Sequence, residues 1–77
     1  MNKIRRKRLA DILEEIEVVK ELLESVKDEE QEALDNMPEN LQGSERYEAK
    51  EEAISTLEEA LENLSTAADN IEEVIGE

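Results

Sequence analysis

The sequence predicts an all-α fold: an antiparallel two-helix coiled-coil hairpin that dimerises into a four-helix bundle. Three observations carry that prediction. They are two long helical heptads, a short break bearing proline and glycine between them, and extra apolar residues beside each heptad. In the first heptad Leu9, Ile12, Ile16, Val19, Leu23 and Val26 alternate steps of three and four, continuing through Glu30, Ala33 and Met37. In the second, Tyr47, Lys50, Ile54, Leu57, Leu61, Leu64, Ala68, Ile71 and Ile75 do the same. Such spacing puts one residue per half-heptad on a single helix face, the seam of a coiled coil.

Helix 1 is expected over about 3–36, a turn over about 37–44 and helix 2 over about 45–75, all within one domain spanning 1–77. Pro38 disfavours helix at Met37 and removes a backbone donor, which stops the first helix. Gly43 and Ser44 mark the restart, with Ser44 as N-cap and Glu45 and Glu48 in the positive first turn of helix 2. Leu41 is expected to fold back as a plug over the end of the bundle. Neither helix holds an internal glycine or proline.

Folding the chain back so that paired residue numbers sum to 80 brings Glu30 opposite Lys50. These are the charged residues that interrupt the central part of each seam. One charge answers the other in a shared layer, where either alone would be desolvated without a partner. This register pair predicts neighbouring layers of Ala33 with Tyr47, Val26 with Ile54, Leu23 with Leu57, Val19 with Leu61, Ile16 with Leu64, Ile12 with Ala68 and Leu9 with Ile71. Large and small residues then alternate across the seam.

A lone hairpin of this size supplies no more than about 3–5 kcal/mol. Apolar residues beside the seam therefore matter. On helix 2, Ala53, Ala60, Ala67 and Val74 recur every seven residues, and helix 1 adds Leu13, Leu22 and Leu34. A stripe about three positions wide per heptad suits a bundle rather than a pair. A homodimer is the expected assembly, with Leu13, Leu22, Ala53, Ala60, Ala67 and Val74 at its interface or at that with another partner.

Composition closes several functional classes. Of 77 residues none is His, Cys, Phe or Trp, so a disulfide framework, thiolate chemistry and a Cys/His zinc site are not expected. Serines lack a base to activate them, and neighbouring carboxylates on an exposed helix have no reason to be tuned for acid or base work. The reading is of a protein that is not an enzyme, with no catalytic residues, no cofactor and no metal. No run of about 18 apolar residues and no signal-like h-region is present, so a cytoplasmic protein with no membrane partner is expected.

Charge is the second strong signal. The chain carries 23 acidic and 9 basic residues, for a net charge of -14, and five of the nine bases are Lys3, Arg5, Arg6, Lys7 and Arg8. The register places Lys7 and Arg8 beside Glu73 and Glu72, so part of this cluster is expected to pair with the tail of helix 2. Direct nucleic-acid binding is not expected, because phosphate is repelled along the rest of the molecule. The acidic body instead approaches DNA in charge density. At 1.5 Å per residue, a hairpin about 45 Å long carries about one net charge per 3 Å, and a side-by-side dimer about one per 1.6 Å. A partner protein with a basic groove would accept such a surface.

The stretch from Asp28 to Arg46, which contains Asn36, Met37, Pro38, Glu39, Asn40, Leu41, Gln42, Gly43, Ser44 and Glu45, is followed by Glu51, Glu52, Ala53 and Ile54 and then by repeated Leu-Glu-Glu-Ala. It resembles a group of small acidic helical-hairpin proteins of Gram-positive bacteriophages and prophages, over most of the chain. The turn is the distinctive part. The resemblance implies a phage accessory protein in the host bacterial cytoplasm that binds and modulates a host protein, including anti-defence inhibition, and it brings no catalytic residues. The alternative is a structural adaptor that completes a helical bundle with another phage protein. Asn36, Glu39, Asn40, Gln42, Glu45 and Arg46 form the candidate recognition turn, with Arg46 also placed to pair with Glu39 or Asp35.

Overall fold

The computed structural model describes residues 1–77 and consists of two long helices, α1 over Lys3–Asp35 and α2 over Glu45–Gly76, joined through a single 3-10 turn over Glu39–Leu41. There is no strand. The helices pack antiparallel into a rod with extents of 59 × 15 × 12 Å. Both starts are capped by a side chain that accepts one of the free amide protons of a first turn. Asn2 Oδ1 accepts from the Arg5 amide at 2.8 Å, and Ser44 Oγ accepts from the Tyr47 amide at 3.3 Å. The Asn2 cap is not part of the sequence reading, although Asn is among the favoured capping residues.

The connection is closed by backbone hydrogen bonds. The Asn36 amide donates to the Glu32 carbonyl, Met37 to Leu34, Leu41 to Pro38, Gln42 to Glu39 and Ser44 to Leu41, all between 2.9 and 3.2 Å. Gly43 carries the one positive φ, at 87°. A Cβ there meets no atom within 4 Å, so the constraint lies wholly in the backbone. Gly43→Ala should therefore lower stability by about 1 kcal/mol, read as a reduced urea midpoint, with far-UV helicity unchanged under native conditions. Leu41 does not plug the end of the rod; its side chain is 43% exposed. The tight 3-10 turn takes up Glu39–Leu41 and holds Leu41 outboard, while Met37, the next heptad position of α1, is the half-buried residue.

Glu30 and Lys50 meet as the register requires. Lys50 Nζ donates to Glu30 Oε1 at 2.7 Å, with side chains 26% and 34% exposed. Burial on α2 follows the expected heptad throughout: Tyr47, Lys50, Ile54, Leu57, Leu61, Leu64, Ala68, Ile71 and Ile75 are all buried or half-buried. On α1 it does not. The covered residues are Arg6, Leu9, Leu13, Ile16, Lys20, Leu23, Lys27, Glu30, Leu34 and Met37, again in steps of three and four, together with Gln31 beside Glu30. Ile12, Val19, Val26 and Ala33 are exposed, and the layers expected to contain them are replaced.

The reason is geometric. An antiparallel pair alternates its layers between the two sides of the contact. Pairs summing to 80 (Leu9/Ile71, Ile16/Leu64, Leu23/Leu57, Glu30/Lys50) lie toward one side. Those on the other side sum to 81, which brings Leu13, Lys20, Lys27 and Leu34 toward Ala68, Leu61, Ile54 and Tyr47. In agreement, Leu34, Tyr47 and Ile54 line one interhelical cleft, and Lys20 and Leu61 line another. Leu13 and Leu34 thus belong to the hairpin seam rather than beside it, and Leu34 is one of only three buried residues, with Ile54 and Ala68. Lysine stems cover apolar surface while the heads reach out, as Lys20 does to Glu17 at 3.5 Å.

Candidate functional site

The two open sides of the rod differ in character. Three residues beyond each member of a layer summing to 80 lies a side chain on the same side: Ile12, Val19, Val26 and Ala33 on α1, and Ala53, Ala60, Ala67 and Val74 on α2. Every one of these eight is apolar. Ile12 is 41%, Val19 48% and Val26 53% exposed, and Leu22, adjoining them on α1, is 64% exposed. Ala53 is exposed, while Ala60, Ala67 and Val74 are half-covered by α1. The remaining flank of this side is Ala49, Thr56, Asn63 and Asn70 on α2, small and uncharged, and Arg8, Glu15, Leu22 and Glu29 on α1, where charges rim the apolar stripe. The opposite side carries Glu17, Glu24 and Gln31 from α1 and Glu51, Glu58, Ser65 and Glu72 from α2.

An apolar side more than 20 residues long is more than the scattered exposed hydrophobes of an ordinary monomer surface. Among the residues expected at an interface, Leu22, Ala53, Ala60, Ala67 and Val74 lie on or beside this side. Leu13 does not, being turned into the acidic-side layers of the hairpin. Ile12, Val19 and Val26 belong to the apolar side and are missing from the sequence-derived interface set. They read as core because their heptad is as regular as the one the hairpin uses.

All 23 acidic residues except Glu30 are exposed. A net charge of -14 over the 59 Å rod is about one per 4 Å, sparser than the sequence estimate because the rod is longer than a 30-residue helix. Two rods side by side would carry about one per 2 Å, near the 1.7 Å of duplex DNA. No group of three or more acidic side chains converges as metal ligands would. The basic cluster lies at the other extreme of the charge distribution. Lys7 is hydrogen-bonded and ion-paired to Asp11 one turn along its own helix rather than to Glu73, and no ion pair joins Arg8 to Glu72. The Asp11 carboxylate, through its hydrogen bond and then its charge, holds the exposed Lys7 ammonium above the usual lysine value. An i, i+4 partner is always within reach on a helix, whereas a cross-helix partner requires both side chains to lean over the seam.

Arg6 takes the first seam position of α1, and its Nε is buried with no hydrogen-bond partner. At the turn, Asn36, Glu39, Asn40, Gln42, Glu45 and Arg46 are all exposed. Their side chains make no hydrogen bond within the chain, and Arg46 pairs with neither Glu39 nor Asp35; Asp35 instead accepts from Gln31 Nε2 at 3.0 Å. The backbone does the capping and leaves six polar side chains in solvent. Neither helix is long and apolar enough to cross a membrane. Comparison with known protein families, characterised proteins and solved structures returned no match.

Proposed function

We propose that this chain is a non-catalytic accessory protein that binds another protein and modulates it through its acidic surface. The observation that supports the reading most is the segregation of charge: exposed carboxylates along a 59 Å rod, with five of the nine bases at one end and apolar side chains on one side. Such a surface suits a basic groove that otherwise holds nucleic acid, because each carboxylate stands where a phosphate would and the association is steered from a distance. In this reading the hairpin is half of a homodimeric four-helix bundle with its apolar side inside. The setting is the bacterial cytoplasm during phage infection, the partner a host defence or nucleic-acid-processing factor, and no metal or cofactor takes part.

The test is capture of partners from host lysate on the tagged protein, washed at low and high salt. A basic nucleic-acid-binding protein should be retained at low salt, released at high salt and displaced by duplex DNA. Capture that withstands salt and DNA would overturn the charge-based reading. It would favour the second one, an adaptor that completes a helical bundle with another phage protein, which the exposed apolar side supports.

A further inference from the structure

The apolar side fits one occupant in one orientation. We infer that a second copy of this chain covers it with both turns at the same end, so that each large residue of α1 rests on an alanine of the partner's α2 and the Glu30–Lys50 layers of the two hairpins meet. The inference rests on the homodimeric reading above and adds its geometry.

Area admits the occupant. The apolar side runs about 33 Å along the rod at 1.5 Å per residue and offers on the order of 500 Å² per hairpin across the 15 Å width. A contact continued to both ends of the rod reaches about 900 Å², against about 800 Å² per partner in a standard stable interface. Side-chain size then selects the orientation. Two rods can pack face to face with turns together or with turns apart. With turns together, α1 of one hairpin runs antiparallel to α2 of the other in nearly the register of the hairpin itself. Residue numbers across the interface then sum to 79, so Ile12 meets Ala67 of the partner subunit, Val19 meets Ala60 of the partner subunit and Val26 meets Ala53 of the partner subunit. These three central contacts are large on small, as close packing requires, while at the two ends Ala33 meets Arg46 of the partner subunit and Val74 meets Arg5 of the partner subunit. With turns apart, α1 lies on α1 and α2 on α2. Branched side chains then crowd at one contact while alanines leave the other thin.

The ion pair makes the same choice. Glu30 and Lys50 belong to the layers beside the apolar side, so a second hairpin brings them to the middle of the bundle. With turns together, the two pairs share one level and Glu30 lies near Lys50 of the partner subunit, giving four alternating charges in one layer. With turns apart, each pair is buried against the level of Leu9 and Ile71, and its remaining hydrogen-bonding capacity goes unmet. Buried charges of this kind are the means by which coiled coils fix register and orientation. The assembled molecule is polar: two recognition turns stand side by side at one end, and residues 3–8 of both chains gather at the other.

The chain has no cysteine, so single spin labels report distances between copies cleanly. The exposed Asn40, at the turn, is replaced as Asn40→Cys, and Lys3, at the open end, as Lys3→Cys in a separate variant. Sedimentation equilibrium first gives the mass of each labelled protein. A dimer whose label pairs both fall within roughly 30 Å, as neighbouring helix axes about 8–10 Å apart allow, supports the inference. A dimer with both pairs near 60 Å, about 20 residues to each side of the rod's middle at 1.5 Å per residue, overturns the orientation and leaves the homodimer standing. A monomer at all accessible concentrations overturns both.

Discussion

Replacing Val19 with glutamate should abolish the dimer while leaving the α1–α2 register in place. Val19 is 48% exposed in the hairpin and belongs to none of its layers, so Val19→Glu creates no clash and no buried charge within one chain. Glutamate is also the better helix former of the two. In the inferred bundle the same position lies at the centre of the interface, against Ala60 of the partner subunit, and the two-fold axis of that dimer places the substitution there twice. Each unpaired carboxylate desolvated in such a layer costs several kcal/mol. The dimer dissociation constant should therefore rise at least ~100-fold, since about 2.7 kcal/mol already gives that factor. Sedimentation equilibrium over a concentration series is the readout, with Glu17→Gln on the acidic side as the control expected to keep the dimer mass. A Val19→Glu protein that remains fully dimeric would remove the apolar side from the interface. Far-UV helicity should change little, because no α1–α2 layer contains Val19.

That expectation also accounts for what was legible in the sequence. The helix boundaries, the Ser44 cap, the break at Pro38 and the Glu30–Lys50 register all follow from local chemistry and from one pair of opposite charges, and the structure has them. The α1 seam does not follow so simply. From the shared positions Leu9, Ile16, Leu23 and Glu30, a seam can step by three to Ile12, Val19, Val26 and Ala33, or by four to Leu13, Lys20, Lys27 and Leu34. Apolar content favours the first, and packing of α2 on its own selects the second. The two are compatible if the more apolar set faces a second hairpin, because the middle of a four-helix bundle is lined by Leu9, Ile12, Ile16, Val19, Leu23 and Val26 together. Periodicity thus reports the widest apolar stripe, and in this chain that stripe is not the contact between α1 and α2. Leu41 and the Lys7–Asp11 pair were hidden for a different reason. Both depend on where a side chain comes to rest in a local turn, and heptad spacing says nothing about that.

The second large effect is expected at the ion pair. Lys50→Met removes the ammonium that donates to Glu30 and leaves a carboxylate held in the seam between Lys27 and Leu34 of α1. Breaking a fully buried pair costs about 3–5 kcal/mol, and the residual exposure of these two side chains brings the expectation to about 2 kcal/mol per chain. Replacing both, as Glu30→Leu with Lys50→Leu, should restore the urea midpoint to the parent value or above it, because a leucine layer has no charge to desolvate. The double variant is therefore expected to be more stable than Lys50→Met although it carries one more substitution. Such non-additivity measures the coupling between the two side chains. Equal losses from each single variant that simply add in the double would mean that the charges do not interact. Stability and specificity should separate in the same protein. With four leucines in place of four alternating charges, the turns-together and turns-apart dimers lose the interaction that distinguishes them most strongly. Spin labels at Asn40→Cys in the leucine-layer background should then give two distance populations where the parent gives one. A single short distance in that background would assign the choice of orientation to the large-on-small contacts of Ile12, Val19 and Val26 alone.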